Sequence, residues 1–171
     1  VEVLSDKKTI DQFNQLQIKA KEQGFVHYEI SNFGREGFFS KHNTAYWKNN
    51  HYIGIGPSAH SYNGKSRRWN ISSNTKYISN INDKSIYFEQ EFLSISQQYN
   101  EYVFTSLRTI WGIDIAIIKS RYGNEIQLHF LNEITKWEDK KYVSSRDNNY
   151  TLSVEGKAFA DTIASDLFIV S

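Results

Sequence analysis

Residues 42–47, with the sequence HNTAYW, combine one imidazole with two aromatic rings at short spacing. A neutral imidazole such as that of His42 is a good ligand for haem iron, and rings such as those of Tyr46 and Trp47 can stack on a porphyrin plane. A loop histidine hydrogen-bonded to the backbone beside a packed Tyr–Trp pair gives the same pattern and is the more common arrangement. On spacing alone, a haem or metal site at His42 is therefore a hypothesis with a structural alternative.

His60 is a second candidate, because it follows the apolar run YIGIG of residues 52–56. The run predicts a strand that opens into a turn containing Ala59 and His60, and sites of α/β proteins often lie at the carboxyl ends of strands. Gly54 and Gly56 would permit close backbone approach. The run lacks the third glycine and the following helix of a dinucleotide fingerprint. A structural turn histidine is the alternative for His60.

Charged side chains offer two further possibilities. Glu29 lies on the polar face of a strand predicted over residues 25–30, where it can act as a general acid or base or hold a positive group. An ion pair with an Arg or Lys is equally open. Arg67 and Arg68 could grip carboxylates or phosphates by bidentate contacts, although such clusters are usually solvated. No nucleophile elbow, Ser/His/Asp spacing or two-histidine metal helix is present, so hydrolase chemistry has no specific support.

The composition limits the chemistry within the chain. The 171 residues include no cysteine and no methionine, and the formal net charge is +1. Without cysteine, the chain has no disulfide, thiolate-ligated cluster or thiol nucleophile. The balanced charges predict no strong field that would attract nucleic acid or an anionic membrane. No apolar run approaches the roughly 20 residues of a membrane span and no signal peptide is evident, so we expect a folded, soluble, cytoplasmic protein. The start at Val1 predicts a piece of a longer gene product.

Periodicity predicts an αβ unit in the first part of the chain. A helix over residues 9–22, behind a Ser5–Asp6 start signal and before a Gly24 stop, leads into the strand over residues 25–30. Residues 31–50 show no clean period. Because a long irregular loop in a folded protein is more often functional than idle, we expect a site there.

A polar stretch over residues 63–84 separates this unit from a mainly helical one. Three helices, two short strands and a last helix are predicted over residues 96–109, 114–122, 125–137, 142–152 and from Ser153 to about residue 167. This order is typical of a small winged-helix-like domain. DNA binding is disfavoured, because the candidate third helix contains four acidic residues and one lysine through residue 139.

Several blocks together resemble one protein family. The first are HYEISNF at residues 27–33, HNxxYW at 42–47 and YIGIGxxAHS at 52–61. NEYVFTSLRTxxGID at residues 100–114 and LSxEG at 152–156 follow in the same order. These blocks are similar to those of the radical SAM family of oxygen-independent coproporphyrinogen III oxidase-like proteins. The HNxxYW block resembles the haem-chaperone branch of that family.

The resemblance implies an α/β plus α+β fold. The last αβ units of an incomplete TIM-like radical SAM barrel would occupy residues 1–88, and the winged-helix-like domain would occupy residues 89–171. It also implies that the chain is the carboxy-terminal fragment of a parent protein. The missing amino-terminal half would bind a [4Fe–4S] cluster through a Cys-x3-Cys-x2-Cys loop, together with most S-adenosylmethionine contacts. The fragment alone is accordingly predicted to be inactive as an enzyme.

The resemblance also assigns roles to the candidate residues. It implies His42 as a haem-iron ligand, with Tyr46 and Trp47 near the macrocycle. Further candidates are a cofactor pocket of Glu29, Gly54, Gly56, Ala59 and His60, and a propionate site of Arg67 and Arg68. The expected partners are haem or porphyrin and haem-receiving respiratory proteins, through which the protein would contact membranes peripherally. No nucleic acid is expected.

Three functions remain open at the level of the sequence. The first is a haem chaperone that binds haem and transfers it to haem proteins. The second is an enzyme that oxidatively decarboxylates coproporphyrinogen III propionates to vinyl groups. The third is a protein-interaction module without a ligand.

Overall fold

A computed structural model describes residues 6–170 of the chain. Ser5, half of the predicted start signal, lies outside the described residues. The helices are α1 (Asp6–Glu22), α2 (Lys41–Trp47), α3 (Asn74–Asn82), α4 (Ile95–Leu107), α5 (Ile115–Tyr122), α6 (Asn124–Asp139), a 3-10 helix (Gly156–Phe159) and α7 (Ala160–Leu167). The strands are β1 (Val26–Glu29), β2 (Asn32–Gly34), β3 (His60–Tyr62), β4 (Ser66–Asn70), β5 (Phe88–Phe92), β6 (Ile113–Asp114), β7 (Val143–Arg146) and β8 (Asn149–Leu152).

The predicted αβ unit is confirmed, but the prediction of an irregular loop over residues 31–50 is wrong. β1 pairs antiparallel with β2, and α2 follows within the segment 31–50. The helix begins after Ser40, whose hydroxyl accepts a hydrogen bond from the backbone N–H of Asn43 at 3.3 Å. Such an N-cap supplies a partner for a backbone donor that the first helical turn leaves free.

The prediction of a strand over residues 52–56 is also wrong. Only Tyr52 pairs with a strand, through a bridge to Tyr62. The side-chain amide of Asn70 donates to the carbonyls of Gly54 and Gly56 at 3.3 and 2.9 Å, and the hydroxyl of Ser61 accepts from the N–H of Gly54 at 3.0 Å. Because side chains bind these backbone groups, the segment stays irregular.

β3, β4 and β5 form an antiparallel sheet, with β4 in the centre. β4 and α3 occupy the stretch 63–84, which the sequence pattern marks only as polar. The boundary expected between residues 88 and 89 falls inside β5, which is hydrogen-bonded along its length to β4. The division of the chain into two domains stays a prediction.

The helical second part is confirmed in element order. α4, α5, α6 and α7 surround a core in which Tyr99, Phe130 and Ile163 are fully buried, and β6, β8 and β7 form a small antiparallel sheet beside it. The last α-helix begins later than predicted, because the hydroxyl of Ser153 caps the N–H of Gly156 at the start of the 3-10 helix. Helices and antiparallel sheets together give the α+β character expected of this part.

The β1–β2 hairpin is joined to the end of α4 by backbone hydrogen bonds. The N–H of Ile30 donates to the carbonyl of Arg108, and the N–H of Ile110 donates to the carbonyl of Tyr28, each at 3.1 Å. This junction sets the hairpin, and the α2 segment that follows it, against the helical part. Within residues 6–170, no helix has the length and apolar content needed to cross a membrane.

Candidate functional site

Glu29 is the centre of a buried polar network at this junction. Its side chain is fully buried and accepts hydrogen bonds from the N–H of Ser31 at 3.0 Å, from the amide of Asn32 and from Nε of Arg108 at 3.1 Å. Arg108 also pairs with the exposed carboxylate of Asp161. The structure therefore agrees with the ion-pair alternative for Glu29. The carboxylate oxygens of Glu29 are thus occupied by donors from within the fold.

Two residues of the HNTAYW block fasten α2 to this network. The amide of Asn43 donates to Oδ1 of Asn32 at 3.0 Å, and the guanidinium of Arg108 lies over the ring of Trp47 at 5.7 Å. Just after the helix, the amide of Asn49 donates to the hydroxyl of Thr105 on α4 at 3.1 Å. Three of the blocks recognised in the sequence therefore meet at this one junction.

The other side of α2 presents His42 and Tyr46. These residues are one helical turn apart, so they lie on the same face. They line a cavity of about 200 Å³ together with Ala45, Asn50, His51 and Tyr52. His42 is exposed and, among the described residues, has no hydrogen bond or ion pair. No described residue occupies either nitrogen of this imidazole, so each could bind a ligand.

His51 is a second imidazole on this cavity, and the sequence motifs do not indicate it. It is exposed, and its ring lies 6.5 Å from that of Tyr62 in an edge-on arrangement. The available signal was a histidine directly before the apolar run at Tyr52. Trp47, in contrast, does not line this cavity. The structure brings together His42 and Tyr46 from the predicted haem group, and it turns Trp47 towards Arg108.

A second cleft, of about 370 Å³, adjoins the histidine cavity and shares Tyr46, Asn50 and Tyr52 with it. Arg67 and Glu101 form an ion pair in its lining. Burial raises the pKa of Glu101 above its ordinary value, although the positive charge of Arg67 acts in the opposite direction. Burial likewise raises the pKa of Tyr52, so its phenol stays neutral at physiological pH.

The other predicted pocket residues do not gather around Glu29. Gly54 precedes β3 at a point where a Cβ would overlap the backbone of His60, so the close approach expected of this glycine is present. Gly56 has a φ of 101° and accepts a bond from Asn70, and Ala59 donates its N–H to the carbonyl of Gly56. The imidazole of His60 is exposed beside the ring of Trp69, 6.4 Å away.

Arg67 and Arg68 are neighbours on β4 and so point to opposite faces of the sheet. Arg67 pairs with Glu101, whereas the guanidinium of Arg68 lies 4.3 Å from the centre of the Phe88 ring. The two arginines do not converge on one carboxylate. In residues 6–170, no group of three His, Asp or Glu side chains is placed to hold a bare metal ion. A haem iron makes a smaller demand, because one axial ligand from the protein can hold it.

Comparisons with known proteins give relatives along most of the chain. No family model matches. The heme chaperone HemW of Bacillus subtilis is 30% identical over 146 residues, which are 85% of this chain and 38% of that protein. The heme chaperone HemW of Lactococcus lactis is 30% identical over 157 residues, covering 86% of this chain and 41% of the relative. The chain thus spans about two fifths of the length of these curated relatives.

A solved structure shows the same fold. It is coproporphyrinogen III oxidase (HemN) from Escherichia coli, described as a radical SAM enzyme. The TM-score is 0.70 with 14% sequence identity, and the match covers 96% of this chain and 42% of that one. The fold expected from the sequence blocks is therefore confirmed.

Proposed function

The chain belongs to the radical SAM family of oxygen-independent coproporphyrinogen III oxidase-like proteins, as the counterpart of their carboxy-terminal part, and we propose that the whole protein binds haem and delivers it to haem proteins. One observation carries the proposal for this part of the chain. His42 presents an exposed imidazole that has no partner within residues 6–170, on the same helix face as Tyr46 and on a cavity with a second imidazole, that of His51.

The contacts of α2 suit this role. A ligand histidine must be neutral, reachable and held in place, and a site on a fixed helix is better defined than one on a loop. Asn43 and Trp47 contact Asn32 and Arg108 on one side of α2. These contacts fix the position of the helix and leave His42 uncovered. Tyr46 and Tyr52, whose ring centres are 6.4 Å apart, offer apolar surface to a macrocycle. Haem would supply the iron that accepts the imidazole nitrogen.

The iron–sulfur cluster and S-adenosylmethionine of the family belong to a different part of the proposal. The chain has no cysteine, so thiolate ligands for a cluster would have to come from outside it. We assign both groups to the part of the relatives that this chain does not match. Within this chain, the proposal concerns the residues around His42 alone.

A haem titration followed by absorbance tests the proposal. His42→Ala should weaken saturable binding at least tenfold, which is about 1.4 kcal/mol. His60→Ala is the matched control, since His60 is also exposed but lies outside the cavity. His51→Ala reports whether the second imidazole also contributes to binding.

Equal binding by wild type and His42→Ala, or no binding by the full-length protein, would remove the proposal. The full-length protein should also be incubated with coproporphyrinogen, S-adenosylmethionine and a reductant. Formation of decarboxylated product there would favour the oxidase function over the chaperone function.

A further inference from the structure

The two faces of the β3–β4–β5 sheet differ in charge. Alternation along the strands places Arg67, Trp69, Glu89 and Glu91 on one face and Ser61, Ser66, Arg68 and Gln90 on the other. The first face contains acidic partners: Arg67 pairs with Glu101, and the indole of Trp69 donates to Glu89 at 3.1 Å. None of the paired sheet positions on the second face is an Asp or a Glu.

Arg68 is the cation of that second face. Within the described part of the chain its guanidinium has no hydrogen bond or ion pair, and its buried Nε–H has no acceptor. Its contact is with the ring of Phe88, 4.3 Å away. Stacking on a ring holds the guanidinium plane, and it leaves the N–H groups at the edges of that plane for an acceptor.

A cleft of about 640 Å³ opens beside this guanidinium. Its polar lining consists mainly of Arg68, His51, Ser61, Asn63, Ser66 and Gln90. Among the described residues, no carboxylate lines it. The amide of Gln90 donates to the hydroxyl of Ser66, which donates to Asn63, so these side chains are already ordered. A positive group with ordered polar neighbours and no internal counter-charge is suited to an anion.

We propose that this cleft binds a ligand through a carboxylate or phosphate group held by Arg68. The planar fork of the guanidinium matches two oxygens of either group, which is the geometry of the strongest charge-assisted hydrogen bonds. The site is separate from the Arg67–Glu101 pair on the opposite face. The cleft shares His51 and Tyr52 with the histidine cavity, but neither His42 nor Tyr46 lines it. Because the site requires no haem, anion probes test it apart from the function proposed for His42.

Two probes of different chemistry test the site, namely succinate and inorganic phosphate, at constant ionic strength. Both are titrated into the ¹⁵N-labelled protein while the Nε–H signal of Arg68 and the amide signals of Ser61 and Ser66 are followed by NMR. We expect saturable shifts with at least one probe. The probe that binds identifies the group that the cleft accepts.

Arg68→Gln should weaken this binding at least tenfold, whereas Lys65→Gln, which removes an exposed positive charge next to the same strand, should change it less than twofold. Arg68→Lys should retain charge and bind more weakly than wild type, because an ammonium lacks the planar fork. Circular dichroism checks that each variant folds.

Three results would overturn the proposal. They are the absence of saturable shifts in the wild type with both probes, unchanged binding by Arg68→Gln, and equal weakening by Lys65→Gln. If Arg68→Gln does not fold, the wild-type spectra and Arg68→Lys decide by themselves, because the Arg68 Nε–H signal reports the contact directly.

Discussion

The two sides of helix α2 differ in what their side chains contact. On one side, Asn43 and Trp47 join a network in which Glu29 and Arg108 satisfy each other. On the other side, His42 has no partner among the described residues and faces a cavity. The difference associates Asn43 and Trp47 with stability and His42 with a ligand, although all three residues come from the same short sequence block.

The largest expected effect comes from breaking the stabilising side. Glu29→Gln removes the charge that pairs with Arg108, whose side chain is only 14% exposed. Arg108 keeps its pair with the exposed carboxylate of Asp161, but its Nε and the donors around Glu29 lose a charged acceptor, and we expect a loss of about 2 kcal/mol of unfolding free energy. Urea denaturation measures the loss. Glu22→Gln, which breaks an exposed pair with Lys19 of 2.9 Å, is the control and should change stability by less than about 1 kcal/mol.

A loss of similar size in both variants would show that the network has no special place in the fold. It would also contradict the claim that this network fixes the position of α2.

His42→Ala tests the side of α2 that we assign to the ligand. His42 is exposed and makes no hydrogen bond to another described residue. We therefore expect the unfolding free energy of the variant to stay within about 0.5 kcal/mol of the wild-type value, while haem affinity falls tenfold or more. Denaturation and haem titration are performed on the same preparation. If His42→Ala lowers both the unfolding free energy and the haem affinity, His42 stabilises the fold and the loss of affinity is no evidence that it binds iron.

Asn43→Ala should give the converse result. It deletes the hydrogen bond of 3.0 Å to Asn32 and should cost about 1 kcal/mol of unfolding free energy. Haem affinity should change less than in His42→Ala, because Asn43 is on the fastened side of α2. Thermal unfolding with and without haem measures both quantities, and a loss of affinity as large as in His42→Ala would blur the distinction between the two sides.

The smallest expected effect is a pH dependence at the hairpin. Burial lowers the pKa of His27 below 6.5, and the nearby Lys157 lowers it further, although the hydrogen bond to the Ile30 carbonyl and the charge of Glu29 act against this. The unfolded chain therefore takes up a proton at a higher pH than the folded chain, so stability is lost as the pH falls through and below 6.5. Urea midpoints from pH 7.5 to 5.5 measure this loss.

His27→Gln is the matched variant for that series. It should show a flatter pH profile over the same interval, because the group that titrates there has been removed. An unchanged slope would assign the effect to another group. Glu101 cannot give the same sign, since its raised pKa makes the folded state the better proton acceptor.

Much of the fold could be predicted because its signals are local. The helix α5 has Asp114 as a cap, which accepts from Ala116 at 2.7 Å, and Gly123 at its end with a φ of 95°. The sequence blocks likewise indicate the family. The sequence predicts part of the site: the motif groups His42 with Tyr46 but indicates a loop, so it does not reveal that both lie on one face of a helix.

Local elements and the family can be predicted from the amino-acid sequence, because caps, periodicity and adjacent motif residues act over a few positions. Which side of α2 is covered depends on the folded chain, since the partner of Trp47 is Arg108 on a distant segment. The hydrogen bond from Asn70 to Gly56 likewise helps to keep residues 52–56 out of a sheet. Arg67 and Arg68 point to opposite faces because β4 pairs with β5 as a strand. These outcomes depend on contacts between residues far apart in the chain, which local patterns do not specify.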